Sequence, residues 1–127
     1  MARPKSPEVT ERELEIMHVF WDLGPQTAQA VRDELDRRGR DLTYTTVATL
    51  VRILTDKGFV RQTNAERPFI YEPVRGFEDV SRSLLNQMVS RVFGGSREKL
   101  LVSLFGRQKL TKKELAVLEE LLKGQQR

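Results

Sequence analysis

Residues 43–58, Thr-Tyr-Thr-Thr-Val-Ala-Thr-Leu-Val-Arg-Ile-Leu-Thr-Asp-Lys-Gly, constrain the chain more than any other stretch. Val47, Leu50, Val51 and Leu54 recur at helical spacing and predict one helix with a buried stripe. Thr43 is placed to cap its start and Gly58 its end. Thr45, Thr49, Arg52 and Asp56 repeat on another side. Threonine is a mediocre helix former because its branched Cβ restricts χ1. Selection for folding alone would favour Ala, Glu or Lys at such positions. Short side chains that carry both a hydroxyl and a methyl suit a helix whose first turns meet a flat polar surface, such as base edges and phosphates.

The flanking pattern gives this helix a place. Thr10-Glu11-Arg12-Glu13 is a capping box, with Val9 and Leu14 at the staple positions. It predicts a first helix over about 11–22, with Leu14, Ile16, Met17, Phe20 and Trp21 facing the core and Gly24-Pro25 stopping it. A second helix follows Thr27 and runs to about Arg38, turning Ala28, Val31 and Leu35 inward. After the Thr-rich helix, Phe59–Thr63 and Phe69–Pro73 alternate around the polar loop 64–68 and predict a β-hairpin. Three helices and then a hairpin is the order of a winged helix-turn-helix. The expected fold is mainly α with a small β-hairpin wing, and residues 1–76 are its DNA-binding domain.

From Phe77 the pattern changes. Val80, Leu84, Leu85, Met88, Val89, Val92 and Phe93 form an apolar stripe ended by Gly94-Gly95. Ser96 caps a short helix with Leu100, Leu101, Leu104 and Phe105. Thr111-Lys112-Lys113-Glu114 is a second capping box, opening a helix with Leu118, Leu121 and Leu122. Three helices in some 50 residues bury little by themselves, and an identical chain is the expected partner for their stripes. Residues 77–127 are therefore expected to form a helical dimerisation domain through Val80, Leu84, Met88, Val92, Leu101, Leu104, Leu118 and Leu121. The competing arrangement folds these helices back on the winged domain of a monomer.

Charge supports a nucleic-acid partner through its distribution, not its total. The 127 residues carry a net +4, but residues 1–76 sum to zero. Within them, residues 8–36 hold eight acids against two bases, and residues 37–67 hold seven bases against three acids. The basic excess surrounds the Thr-rich helix, although a solvated mixed-charge surface would have the same composition. With no cysteine and one histidine, thiolate and His-based metal sites, disulfides and thiol redox sensing are not expected. No catalytic constellation and no cofactor motif stands out, and Glu13, Glu15, Glu119 and Glu120 look like helix-surface carboxylates. His18 is expected to be a partly buried structural residue. No apolar run approaches the roughly 18 residues of a membrane span, and the first residues lack a signal peptide's apolar core, so a cytoplasmic protein is expected.

Several stretches together resemble the penicillinase-repressor family of bacterial transcription regulators (BlaI/MecI/CopY type). They are Glu13-x-x-Ile16-Met17-x-x-Phe20-Trp21, Tyr44-Thr45-Thr46-Val47-x-Thr49-x-x-x-Arg52-x-x-x-x-Lys57-Gly58, Phe69-Ile70-Tyr71, Phe93-Gly94-Gly95-Ser96 and 110–122. The Tyr-Thr-Thr-Val-x-Thr run is the most specific. The resemblance implies a homodimeric repressor on an inverted-repeat, double-stranded DNA operator. By position it assigns DNA contacts to Thr43, Tyr44, Thr45, Thr46, Thr49 and Arg52, with Arg67 and Arg61 from the wing reaching the backbone. Alternatives from the residues themselves are an Arg52–Asp56 ion pair, packing of Tyr44 against the hairpin, and an ordinary surface role for Arg67. Arg3 and Lys5 lie in a Pro-punctuated arm expected to be disordered and to stay off the DNA. Copper-responsive members carry C-terminal cysteines, absent here. Members under a membrane sensor-protease are cut at an Asn-Phe bond, and Ser103-Leu104 stands at that place. The alternative function is a winged-helix protein-interaction module without sequence-specific DNA binding.

Overall fold

The structure is a computed structural model that describes residues 8–125; the arm with Arg3 and Lys5 lies outside them. The Thr10 capping box forms as its sequence predicts: Thr10 Oγ1 accepts the Glu13 N–H at 3.2 Å and Glu13 Oε1 accepts the Thr10 N–H at 3.1 Å. It opens α1 (Glu11–Leu23), which Gly24 closes at φ 78°. Thr27 caps α2 (Ala28–Arg37), and Thr43 caps α3 (Tyr44–Asp56). Gly58 sits at φ 84°, a left-handed conformation that glycine adopts without steric cost, and turns the chain from α3 into β2 (Val60–Gln62). β3 (Ile70–Pro73) completes the hairpin.

A third strand was not foreseen. β1 (Gln26–Thr27) pairs antiparallel with β3, so the sheet order is β1-β3-β2. Two residues carry no alternation, and their strand character comes from a partner more than 40 residues away, Gln26 opposite Tyr71 and Thr27 opposite Ile70.

The first compact unit has its core where the helical stripes meet. Ile16, Met17, Val19 and Phe20 of α1, Val31 and Leu35 of α2, and Val47, Val51 and Leu54 of α3 are almost wholly withdrawn from solvent, with Phe59 and Val60 closing the hairpin side. Burial of each such side chain contributes on the order of 1.5–3 kcal/mol. Val19, absent from the expected core, is fully buried, whereas Leu14 and Trp21 are half-buried.

The first unit extends past the expected boundary at 76, since the chain divides between Ser81 and Arg82. The cause is the first turn of α4 (Phe77–Arg91). Val80, expected on the dimerisation stripe, is only 2% exposed and belongs to the first unit's core. Phe77 meets Trp21 edge-to-face with ring centroids 5.4 Å apart, and the indole N–H donates to the Arg75 carbonyl at 3.0 Å. His18 is exposed, not partly buried, and stands edge-on to Trp21 at 5.2 Å.

The second unit contains the rest of α4, then α5 (Arg97–Phe105) and α6 (Lys112–Gln125). Ser96 and the Thr111–Glu114 box cap the latter two as expected. Neither α5 nor α6 buries a residue. Leu84 and Leu118 are half-buried, while Met88, Val92, Leu101, Leu104 and Leu121 are exposed. Among the described residues no helix is long and apolar enough to cross a membrane.

Candidate nucleic-acid interface

α3 turns its core stripe inward and leaves Tyr44, Thr45, Thr49 and Arg52 exposed. Thr43 and Thr46 stand apart from these. Thr43 Oγ1 accepts the Thr46 N–H at 3.2 Å and donates to Thr46 Oγ1 at 3.0 Å. Thr46 is half-buried. Two of the four expected reading threonines are thus engaged in starting the helix, and Thr45 and Thr49 form the open hydroxyl face. No hydrogen bond or ion pair engages the Arg52 guanidinium among the described residues, so the expected alternative pairing with Asp56 is not what holds it.

Beside this face runs a groove of about 800 Å³. Tyr44, Ala48 and Arg52 of α3 line it, with Thr27, Ala28 and Gln29 at the start of α2, and Gln62, Arg67, Pro68, Phe69 and Tyr71 of the wing. Tyr44 therefore does face the hairpin, but remains 51% exposed. The wing loop is organised by one side chain. Asn64 accepts the Ile70 N–H at 2.7 Å and donates to the carbonyls of Glu66 at 2.9 Å and Pro68 at 3.1 Å. This brace presents Arg67, whose guanidinium lies 5.5 Å from the Phe69 ring centroid.

Arg61 is not part of the groove. It sits directly opposite Glu72 in the β2–β3 register and is ion-paired with it. Side chains alternate across a strand, so Arg61 points to the opposite face from Gln62, which does line the groove. Gln62, Gln29, Phe69 and Tyr71 were missed as site residues. The period-two pattern of 59–63 could have supplied Gln62, which shares a face with buried Val60.

The sequence separation of charge does not survive folding. Arg37 pairs with Glu34, Arg38 with both Glu34 and Asp22, Arg40 with Glu15, and Lys57 with Glu13, at 2.7–3.1 Å. Hydrogen bonding to Glu34, with Asp22 adding to it, raises the Arg38 pKa against the opposing effect of burial. A guanidinium is already charged at any working pH, so this shift carries no pH dependence of stability there. The acids of α1 and α2 neutralise the basic segment, leaving Arg52 and Arg67 as the cations that frame the groove. Glu13 is not the surface carboxylate its capping position suggests, since it is 3% exposed. Among the described residues no group of His, Asp or Glu is arranged to hold a metal ion.

The family model for the penicillinase repressor matches residues 9–124. The chain belongs to the penicillinase repressor family. It is similar to the transcriptional regulator BlaI of Mycobacterium tuberculosis, with 35% identity over 86 residues, which is 67% of this chain and 62% of that one. The match thus spans under two thirds of that relative's length. It is also similar to the methicillin resistance regulatory protein MecI of Mammaliicoccus sciuri, 23% identical over 118 residues that cover 93% of this chain and 95% of the other. Among solved structures, the DNA-binding domain of the repressor BlaI superimposes with a TM-score of 0.51 at 27% identity, covering 61% of this chain and 93% of that domain. The architecture of the first unit is accordingly a winged helix-turn-helix, mainly α with a small antiparallel sheet.

Proposed function

We propose that this penicillinase-repressor-family chain is a sequence-reading transcriptional repressor that binds an inverted-repeat operator as a homodimer. The observation that carries the proposal is the solvent-open face of α3, where Thr45, Thr49 and Arg52 flank a groove closed on its far side by Arg67. Hydroxyls that donate or accept, with methyls that pack on thymine, read base edges, while the arginines hold phosphates. The exposed stripes of α4–α6, including Met88, Val92, Leu101, Leu104 and Leu121, support association with a second copy, which gives two half-sites a helical turn or more apart. The regulator names of the BlaI and MecI relatives, and the description of the structurally similar BlaI DNA-binding domain as that of a repressor, agree with this proposal.

Thr49→Ala and Arg52→Ala should each weaken operator binding by about 1–3 kcal/mol without changing the thermal melt. Fluorescence anisotropy on a duplex enriched from a random library measures this; full affinity in both variants would remove α3 as the reading element.

The neutralised basic segment favours a second reading, a winged module that binds protein and not specific DNA. Binding that is equal on enriched and scrambled duplexes would select it. If a membrane sensor-protease is a partner, its cut between Ser103 and Leu104 falls inside α5, so cleavage there requires local opening of that helix.

A further inference from the structure

We propose that the buried Glu13–Lys57 ion pair is a positioning device for the reading helix, setting the tilt of α3 and with it the ability to tell one DNA sequence from another. This rests on DNA reading through α3.

The Lys57 and Glu13 side chains are 6% and 4% exposed. The ammonium donates at 2.8 Å to Glu13 Oε1 and at 2.8 Å to the Glu8 carbonyl. The same carboxylate oxygen accepts the Thr10 N–H that closes the capping box of α1. One cation at the C-cap of α3 is thereby locked to the entire start of α1.

A buried pair of this kind adds little net stability, because desolvation offsets its attraction. Its selectivity for geometry is another matter. Any tilt of α3 that separates the two groups leaves a charge buried without its counter-ion, which is strongly unfavourable. The lever is long. Thirteen residues separate Tyr44 from Lys57, about 20 Å at the helical rise, so a rotation of about 5° at the anchored end moves the first turn by roughly 1.7 Å. That exceeds the tolerance of a hydrogen bond to a base edge. Arg52 and Arg67 contact phosphates through long side chains that absorb such a shift. Loss of the pair should therefore erase discrimination and spare sequence-blind binding.

The test uses the full chain and a duplex enriched from a random library by the unaltered protein, with a scrambled duplex beside it. The double variant Glu13→Gln/Lys57→Met removes both charges together. It is expected to melt cooperatively, to bind the scrambled duplex within twofold of the unaltered chain, and to bind the enriched duplex at least tenfold more weakly. Lys57→Arg, which keeps the pair, is expected to keep the discrimination. A folded double variant that discriminates as well as the unaltered chain overturns the inference, and so does equal weakening on both duplexes. If the double variant fails to fold, Glu13→Gln/Lys57→Gln, which also removes both charges together, takes its place under the same criteria. Failure of the unaltered chain to enrich any duplex would instead remove the DNA-reading function itself, and this inference with it.

Discussion

The threonines of α3 look alike in sequence and do different work in space. Thr43 and Thr46 bond to each other at the helix start, while Thr45 and Thr49 are exposed on its outer face. Truncating Thr43 to alanine removes a side-chain cap and should lower stability by about 1 kcal/mol, seen as a reduced denaturation midpoint in urea. Thr49→Ala should leave that midpoint alone and act on DNA affinity. A Thr46→Ala variant should resemble Thr43→Ala more than Thr49→Ala; the reverse pattern would return Thr46 to the reading face. The division among them was not legible because a capping position is recognisable from sequence, while the direction of a hydroxyl already satisfied within the turn is not. Glu13 is the sharper case. A Glu at the third position of a capping box reads as a solvated acid, and only its partner 44 residues away explains its burial.

At the scale of elements, strong local signals carried far. Both capping boxes form, the helices begin at Thr10, Thr27, Thr43 and Ser96 as their caps indicate, and the hairpin occupies its expected segment. What local pattern does not contain is pairing at a distance. β1 exists only because β3 lies beside it, and Arg61 leaves the groove because Glu72 faces it across the hairpin. The wing offers a prediction of its own. Asn64 spends its whole amide on three backbone groups of the loop that carries Arg67. Asn64→Ala should loosen the loop without unfolding the domain, so amide exchange should quicken at Ile70. DNA affinity should fall about as much as in Arg67→Ala, and the double variant should be no worse than either single one. Additive losses would mean that Asn64 does not act through Arg67.

At the scale of the whole molecule, a net +4 and a sequence pI near 9.7 suggest a strongly cationic DNA binder, yet among the described residues most bases of the first unit are ion-paired with its own acids. Counterion release counts the cations that reach phosphate, not those in the composition. In the proposed dimer, with Arg52 and Arg67 from each protomer, the slope of log Kobs against log salt should be about −3.6, from roughly 0.9 per phosphate contact. A chain that used all seven bases of residues 37–67 in each protomer would give a far steeper line. Dimerisation enters the same measurement. Leu121 is 62% exposed on α6; if the proposed dimer forms through this helix, Leu121→Asp should yield a monomer in sedimentation equilibrium, with the α1–α3 core intact by circular dichroism. That monomer should bind a single half-site with a slope near −1.8 by the same count and lose the avidity of the paired site. A Leu121→Asp chain that stays dimeric would move the interface off α6. A slope unchanged in a proven monomer would mean that the unaltered chain engages DNA through one winged unit at a time.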